Sequence, residues 1–162
     1  MILYLVRHAE AVELGSPGAA SDFDRFLTPN GSAQTLAMAQ AFTRLKLPVD
    51  AVVTSPFVRA YQTASGMLSV WQPNSRPITH DALAPEKLKP NKLSEFLGGV
   101  PGEFMVAVGH MPDLGAYAEW LLGASAGAIP LAKAAIACIE FRTAPAKASG
   151  RLRWLVPPEW VM

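Results

Sequence analysis

Short unbroken apolar runs alternate along this chain with longer stretches in which apolar residues return every three or four positions. The runs Ile2–Val6, Ala51–Thr54, Phe104–Val108 and Ala134–Phe141 predict buried strands. Leu152–Val156 predicts another, and Pro77–Thr79 a short edge strand. Between them, Leu114, Tyr117, Ala118, Leu121 and Leu122 draw one apolar helical stripe behind Pro112. Thr28-Pro29 opens a second helix, with a capping hydroxyl followed by a residue preset for the first turn. Ala33, Leu36, Ala37, Ala41 and Leu45 lie on one side of it, and Pro48 marks its end. A third helix follows Pro56 and runs to about Trp71, where Gln72-Pro73-Asn74 supplies a break. Gly15–Asp24 and Arg142–Gly150 read as exposed loops.

Strands separated by helices need crossover connections, so the expected architecture is α/β. It is a three-layer α/β/α sandwich around a mostly parallel central sheet. No repeat or compositional break divides the 162 residues, and residues 1–162 are expected to form a single domain.

Charge narrows the range of partners. Fourteen Lys and Arg against thirteen Asp and Glu leave a formal net charge of +1, which gives no general attraction for nucleic acid or an anionic membrane. An anion would have to be held locally. Arg7 interrupts the first apolar run before it reaches the length of a signal peptide, and no run approaches the roughly 20 residues of a membrane span. A cytoplasmic location and a monomer are the working expectations. Cys138, the sole cysteine, reads as a small core residue.

In open α/β sheets, ligands bind beyond the carboxyl ends of the strands. Arg7-His8 follows the first strand, Ser55-Pro56-Phe57-Val58-Arg59 the second, and Gly109-His110 the run at 104–108. Two imidazoles and two guanidiniums are thereby expected at one sheet edge. Guanidinium forks match phosphoryl oxygens and keep their charge at any working pH. An imidazole attacks phosphorus if its far nitrogen is unprotonated while its near nitrogen donates to a backbone carbonyl, and His8 is the candidate. Positive charge from Arg7 and Arg59 is expected to lower its pKa. His110 would donate to an equatorial phosphoryl oxygen.

Arg7-His8-Ala9-Glu10-Ala11 resembles the Arg-His-Gly signature of the histidine phosphatase superfamily, with Ala9 in place of the usual glycine. Ser55 to Thr63 resembles its second-arginine motif, and Gly109-His110-Met111-Pro112 the loop with its second histidine. The short chain, the segment Arg25 to Gly31, and a tail with Trp154 and Pro157 are most similar to the branch of SixA-type phosphohistidine phosphatases. The resemblance implies a phosphoglycerate mutase-like fold. It also implies hydrolysis of phosphohistidine on a partner protein, such as a histidine phosphotransfer domain or phosphocarrier, through a phosphoryl intermediate on His8. Arg7, His8, Arg59 and His110 would form the phosphate pocket. Arg25 would either join them or face solvent.

No carboxylate stands out as the general acid that larger family members use on alkoxide leaving groups; Glu86, Asp113 and Glu10 are the candidates. A phosphomonoesterase acting on a small metabolite, with Glu86 or Asp113 as acid, is the alternative enzyme. A non-catalytic phospho-ligand sensor is the alternative binding module. His80 reads as a surface histidine or one bordering the site, and Ser55 as a turn hydroxyl or one that supports a site residue from behind, since Ser55 lacks a nucleophile elbow. His110 with Asp113 is too sparse for a divalent ion, and there is no Gly-rich nucleotide loop with its lysine. Neither metal nor cofactor is expected. Trp71, Trp120, Trp154 and Trp160 read as core or rim aromatics.

Overall fold

The structure, a computed structural model, describes residues 1–162. In chain order the elements are β1 (Ile2–Arg7), α1 (Pro29–Arg44), β2 (Ala51–Thr54), α2 (Val58–Trp71), β3 (Ile78–Thr79), α3 (Pro90–Gly99), β4 (Phe104–Gly109), α4 (Asp113–Leu122), β5 (Ile136–Glu140) and β6 (Arg151–Val156). The six strands form one sheet in the order β3-β2-β4-β1-β5-β6. β1, β2, β3 and β4 run parallel, whereas β5 lies antiparallel to both β1 and β6. One reversed strand within an otherwise parallel sheet gives the expected α/β architecture.

Alternation along the strands divides the core between two faces. Leu3, Leu5, Met105, Ala107, Ala137 and Ile139 pack with Leu93 and Leu97 of α3 and with Leu114, Tyr117 and Leu121 of α4. Tyr4, Val6, Val52, Val106, Ile136 and Cys138 pack on the other face with Met38 and Phe42 of α1 and Met67 and Leu68 of α2. Each fully buried Leu or Met contributes on the order of 2 kcal/mol. These two layers hold the sheet rigid beneath its carboxyl edge. Cys138 is a core residue, as expected. Trp154 stacks near Tyr4, Trp71 near Phe42 and Trp120 on Tyr117, while Trp160 stays exposed. No helix is long and apolar enough to cross a membrane.

The structure departs from the sequence reading at several places. Ala33, Leu36 and Leu45, expected on the apolar side of α1, are exposed, and the buried side carries Gln34, Thr35, Met38, Ala39, Ala41 and Phe42. α1 ends at Arg44 rather than near Pro48, because Lys46 takes a left-handed φ of 52°. β5 begins at Ile136 rather than Ala134, whose φ of 60° turns the chain before the strand. α3 was not expected from the apolar pattern, because Leu93, Phe96 and Leu97 mark little more than one turn. Pro90 at its first turn is the one start signal.

Register sets the site. β4 lies between β1 and β2, with Arg7 opposite Gly109 and Thr54 opposite Val108. The ladders continue one step further, as His8 N–H donates to the Gly109 carbonyl at 3.0 Å and Ser55 N–H to the Val108 carbonyl at 2.9 Å. His8, Ser55 and His110 therefore emerge side by side.

The start of α1 braces the loop after β1. Thr28 caps the helix through its hydroxyl, which accepts from Gly31 N–H at 2.9 Å, and Thr28 N–H donates to the Glu10 carbonyl at 3.1 Å. A Cβ at Gly31 would overlap the Glu10 carbonyl oxygen, so helix and loop touch backbone to backbone. Gly31→Ala should therefore lower stability by roughly 1–3 kcal/mol in a denaturant melt. An undiminished melting midpoint would contradict this close approach.

Candidate active site

His8 stands just past the end of β1 and is 8 % exposed. Its Nδ1 lies 2.8 Å from the Ala9 carbonyl oxygen. A carbonyl only accepts, so Nδ1 carries the proton and Nε2 presents a lone pair. Arg59 Nε–H donates to that Nε2 at 3.2 Å. Burial, the largest influence, pushes the His8 pKa down to about 4. The Ala9 hydrogen bond opposes it, and the charges of Arg59, Arg7 and Arg25 add to it. The direction expected from the sequence is right, but burial outweighs the cations that were its stated cause. Ala9 avoids the left-handed region and needs no glycine. Its N–H donates to Thr63 Oγ1 at 3.0 Å, and the Thr63 hydroxyl donates to the Arg59 carbonyl at 2.8 Å. Thr63 thus ties the loop carrying His8 to the first turn of α2.

Arg59, at the second position of α2, is buried. Its Nη1 donates to the Asp22 carbonyl at 2.6 Å and its Nη2 to Asp22 Oδ2 at 3.0 Å, while its guanidinium carbon lies 5.1 Å from the Phe57 ring centroid. Asp22 Oδ1 also accepts from Arg25 Nη1 at 3.0 Å, and Arg25 Nε donates to the Val12 carbonyl at 2.7 Å. Burial works to raise the Asp22 pKa. Hydrogen bonds and charge from Arg25 and Arg59 outweigh it and hold this carboxyl below its ordinary value. Arg25 thus meets the cluster through Asp22 rather than facing open solvent.

The His8 and His110 rings are 5.0 Å apart, centroid to centroid. His110 Nε2 lies 2.9 Å from Ser55 Oγ, and the ring meets Phe57 edge-on at 5.4 Å. Burial first, then the neighbouring His8 and Arg59, push the His110 pKa down to about 3, with Asp22 opposing. Arg7 Nη1 donates to the Leu131 carbonyl at 2.9 Å. Two buried side-chain nitrogens in the molecule lack a hydrogen-bond partner, Arg7 Nε and His110 Nδ1, and both belong to this cluster. A buried polar nitrogen left unpaired costs about 1–3 kcal/mol, which a hydrogen-bonding ligand would recover.

The other candidates make their hydrogen bonds outside the cluster. Asp113 Oδ2 accepts from the Glu86 backbone N–H at 2.7 Å, and no hydrogen bond or ion pair joins either carboxylate to the two histidines. Glu10 accepts from Thr28 Oγ1 at 2.6 Å and from Asn30 Nδ2 at 3.0 Å, and these bonds hold its pKa below the ordinary value. His80 is half-buried rather than superficial. Its Nδ1 accepts from Ala82 N–H at 3.2 Å, and its ring stacks on Phe96 at 4.0 Å. No group of three His, Cys, Asp or Glu side chains is arranged to hold a metal ion. Asp22 and Thr63 are the site residues that sequence reasoning missed. Asp22 lies in a loop without periodicity. Thr63 stood inside the second-arginine motif with no chemistry assigned to it.

Both histidines bind protons more weakly folded than unfolded, because their values fall from 6.5 to about 4 and about 3. The unfolded chain therefore takes up protons first as pH falls through 6.5, and stability drops from there to about pH 4 for His8 and about pH 3 for His110. The thermal midpoint should be lower at about pH 5 than at about pH 7, with a smaller difference in His8→Asn. Equal differences in the two proteins would contradict the shift at His8.

Comparison with known proteins places this geometry. Residues 3–84 match the family model of the histidine phosphatase superfamily (branch 1). An uncharacterized protein of Picosynechococcus sp. is 33 % identical over an alignment covering 100 % of this chain and 99 % of its own length. The structure of the protein histidine phosphatase SixA complexed with tungstate superposes with a TM-score of 0.80, 24 % identity and 100 % coverage of both chains. A mutant phosphoserine phosphatase from Entamoeba histolytica, in complex with phosphoserine, superposes with a TM-score of 0.73, 17 % identity and 99 % coverage of both. Phosphoglycerate mutase from Plasmodium falciparum superposes with a TM-score of 0.64 and 17 % identity, covering 94 % of this chain and 88 % of its own, and these structural likenesses establish the shared phosphoglycerate mutase-like fold. On the family match and the full-length relative together, the chain belongs to the histidine phosphatase superfamily.

Proposed function

We propose that this protein is a phosphohistidine phosphatase, acting on a phosphorylated partner protein through a covalent intermediate on His8. The observation that carries the reading is the pair of buried, unpartnered nitrogens, Arg7 Nε and His110 Nδ1, beside a neutral imidazole with its lone pair on Nε2. Such a site binds an oxyanion and offers a nucleophile to its centre.

Arg59 Nε–H donates to the His8 Nε2 lone pair. An arriving phosphoryl group takes over the Arg59 and Arg7 donors and so frees that lone pair. His8 Nε2 then forms a bond to phosphorus as the bond from phosphorus to the substrate imidazole breaks. The electron pair goes to that departing nitrogen. If the substrate ring is protonated at its other nitrogen, it leaves neutral and needs no acid. The same holds for the second step, because His8 Nδ1 keeps the proton it shares with the Ala9 carbonyl. Water attacks phosphorus, the bond to Nε2 breaks, His8 returns as a neutral ring and inorganic phosphate departs. Arg7, Arg59 and His110 stabilise the charge on the equatorial oxygens throughout.

The fold also serves a phosphoserine phosphatase, so support for a nitrogen-linked substrate comes from the site. Asp22 is the carboxylate hydrogen-bonded into the cluster, and two guanidiniums keep it ionised. An ionised carboxylate cannot protonate an alkoxide leaving group. A histidine phosphotransfer domain or phosphocarrier, whose leaving group is an imidazole, has no such requirement.

Turnover of phosphohistidine peptides should disappear in His8→Ala and fall on the order of 10²-fold in Arg59→Ala. Quenched wild-type reactions should carry a phosphoryl group on His8 that survives alkali and is lost in acid. Fast cleavage of sugar phosphates with phosphohistidine left intact would favour the metabolite phosphatase instead. Binding without any turnover would favour the sensor.

A further inference from the structure

Ser55 is fully buried at the end of β2, and its hydroxyl has two neighbours within hydrogen-bond distance. The Phe57 backbone N–H lies at 3.2 Å and His110 Nε2 at 2.9 Å. A backbone N–H can only donate, so Ser55 Oγ accepts from Phe57. The hydroxyl proton then has one place to go, which is His110 Nε2.

We infer that Ser55 is a positioning residue that donates its proton to His110 Nε2 and holds His110 as the tautomer protonated on Nδ1. The opposite tautomer is worse by counting. With the proton on Nε2, the ring would donate to Ser55 Oγ, leaving the buried hydroxyl proton without an acceptor and Nδ1 as an unpaired acceptor. The inferred tautomer leaves one unmatched group, the Nδ1–H donor, and that atom is buried without a partner. A doubly protonated ring is disfavoured by the same burial that pushes its pKa to about 3.

The consequence is a defined role for Ser55, as the group that aims a donor. A neutral histidine can present either a proton or a lone pair, and only the proton attracts a phosphoryl oxygen. Ser55 settles the choice before any anion arrives. Phe57 helps, since its N–H fixes which lone pair of the hydroxyl is used and its ring packs edge-on against His110. The inference rests on the proposed use of His110 as a phosphoryl ligand, but the tautomer itself can be read without turnover.

The experiment is long-range proton–nitrogen NMR on protein labelled with ¹⁵N-histidine near neutral pH, paired with phosphoramidate kinetics. Wild-type His110 should show a protonated Nδ1 and an unprotonated Nε2. In Ser55→Ala the two tautomers should mix, and kcat should fall roughly tenfold with KM within about twofold. Ser55→Thr, which keeps the hydroxyl, should restore the wild-type nitrogen shifts. A wild-type ring protonated on Nε2, or a Ser55→Ala ring unchanged from wild type, would overturn the inference. A wild-type ring protonated on Nδ1 in a protein that cleaves no phosphohistidine upholds the role of Ser55 and removes the functional reading alone.

Discussion

The hydrogen bond from His8 Nδ1 to the Ala9 carbonyl is the interaction on which the proposed chemistry depends. It joins a side chain to the very next residue, so it needs only the backbone turn that follows β1. That turn is held from three directions. The β4 ladder fixes His8, Thr63 grips the Ala9 N–H, and the start of α1 presses on Glu10. With the proton committed to Nδ1, the lone pair must face Arg59. Burial then keeps it unprotonated at neutral pH.

The surrounding charges follow one logic. Three guanidiniums near two buried imidazoles would repel one another, and Asp22 bridges two of them. The carboxylate also gives Arg59 a fixed orientation, which a lone surface arginine would lack. What remains unmatched, Arg7 Nε and His110 Nδ1, is what a ligand would use. The cost of two unpaired buried groups is typical of a site kept ready at the expense of stability.

Much of this was legible in the residues. Strands buried on both faces are continuous apolar runs, and Ile2–Val6 and Ala51–Thr54 coincide with β1 and β2 to within a residue. Arg7, His8 and His110 could be singled out because each lies at or just beyond a strand end, and Arg59 because it opens the helix that follows β2. Asp22 could not, because its importance comes from where a loop without periodicity happens to fold back. The dominance of burial in the histidine pKa values was hidden for a related reason. Depth is a property of packing, and neighbours in sequence do not reveal it. The direction of β5 was equally silent, since an apolar run reads the same for either orientation.

That reversed strand ties together parts of the chain that lie far apart in sequence. Because β5 runs against β1, its entry lies at the carboxyl edge of β1, where the Leu131 carbonyl accepts from Arg7 Nη1 and the Ala135 carbonyl from the Arg7 N–H. A fragment that stops short of Leu131 would carry Arg7, His8, Arg59 and His110 but neither of those carbonyls. The motifs alone would then leave the Arg7 side chain without its hydrogen-bonded anchor.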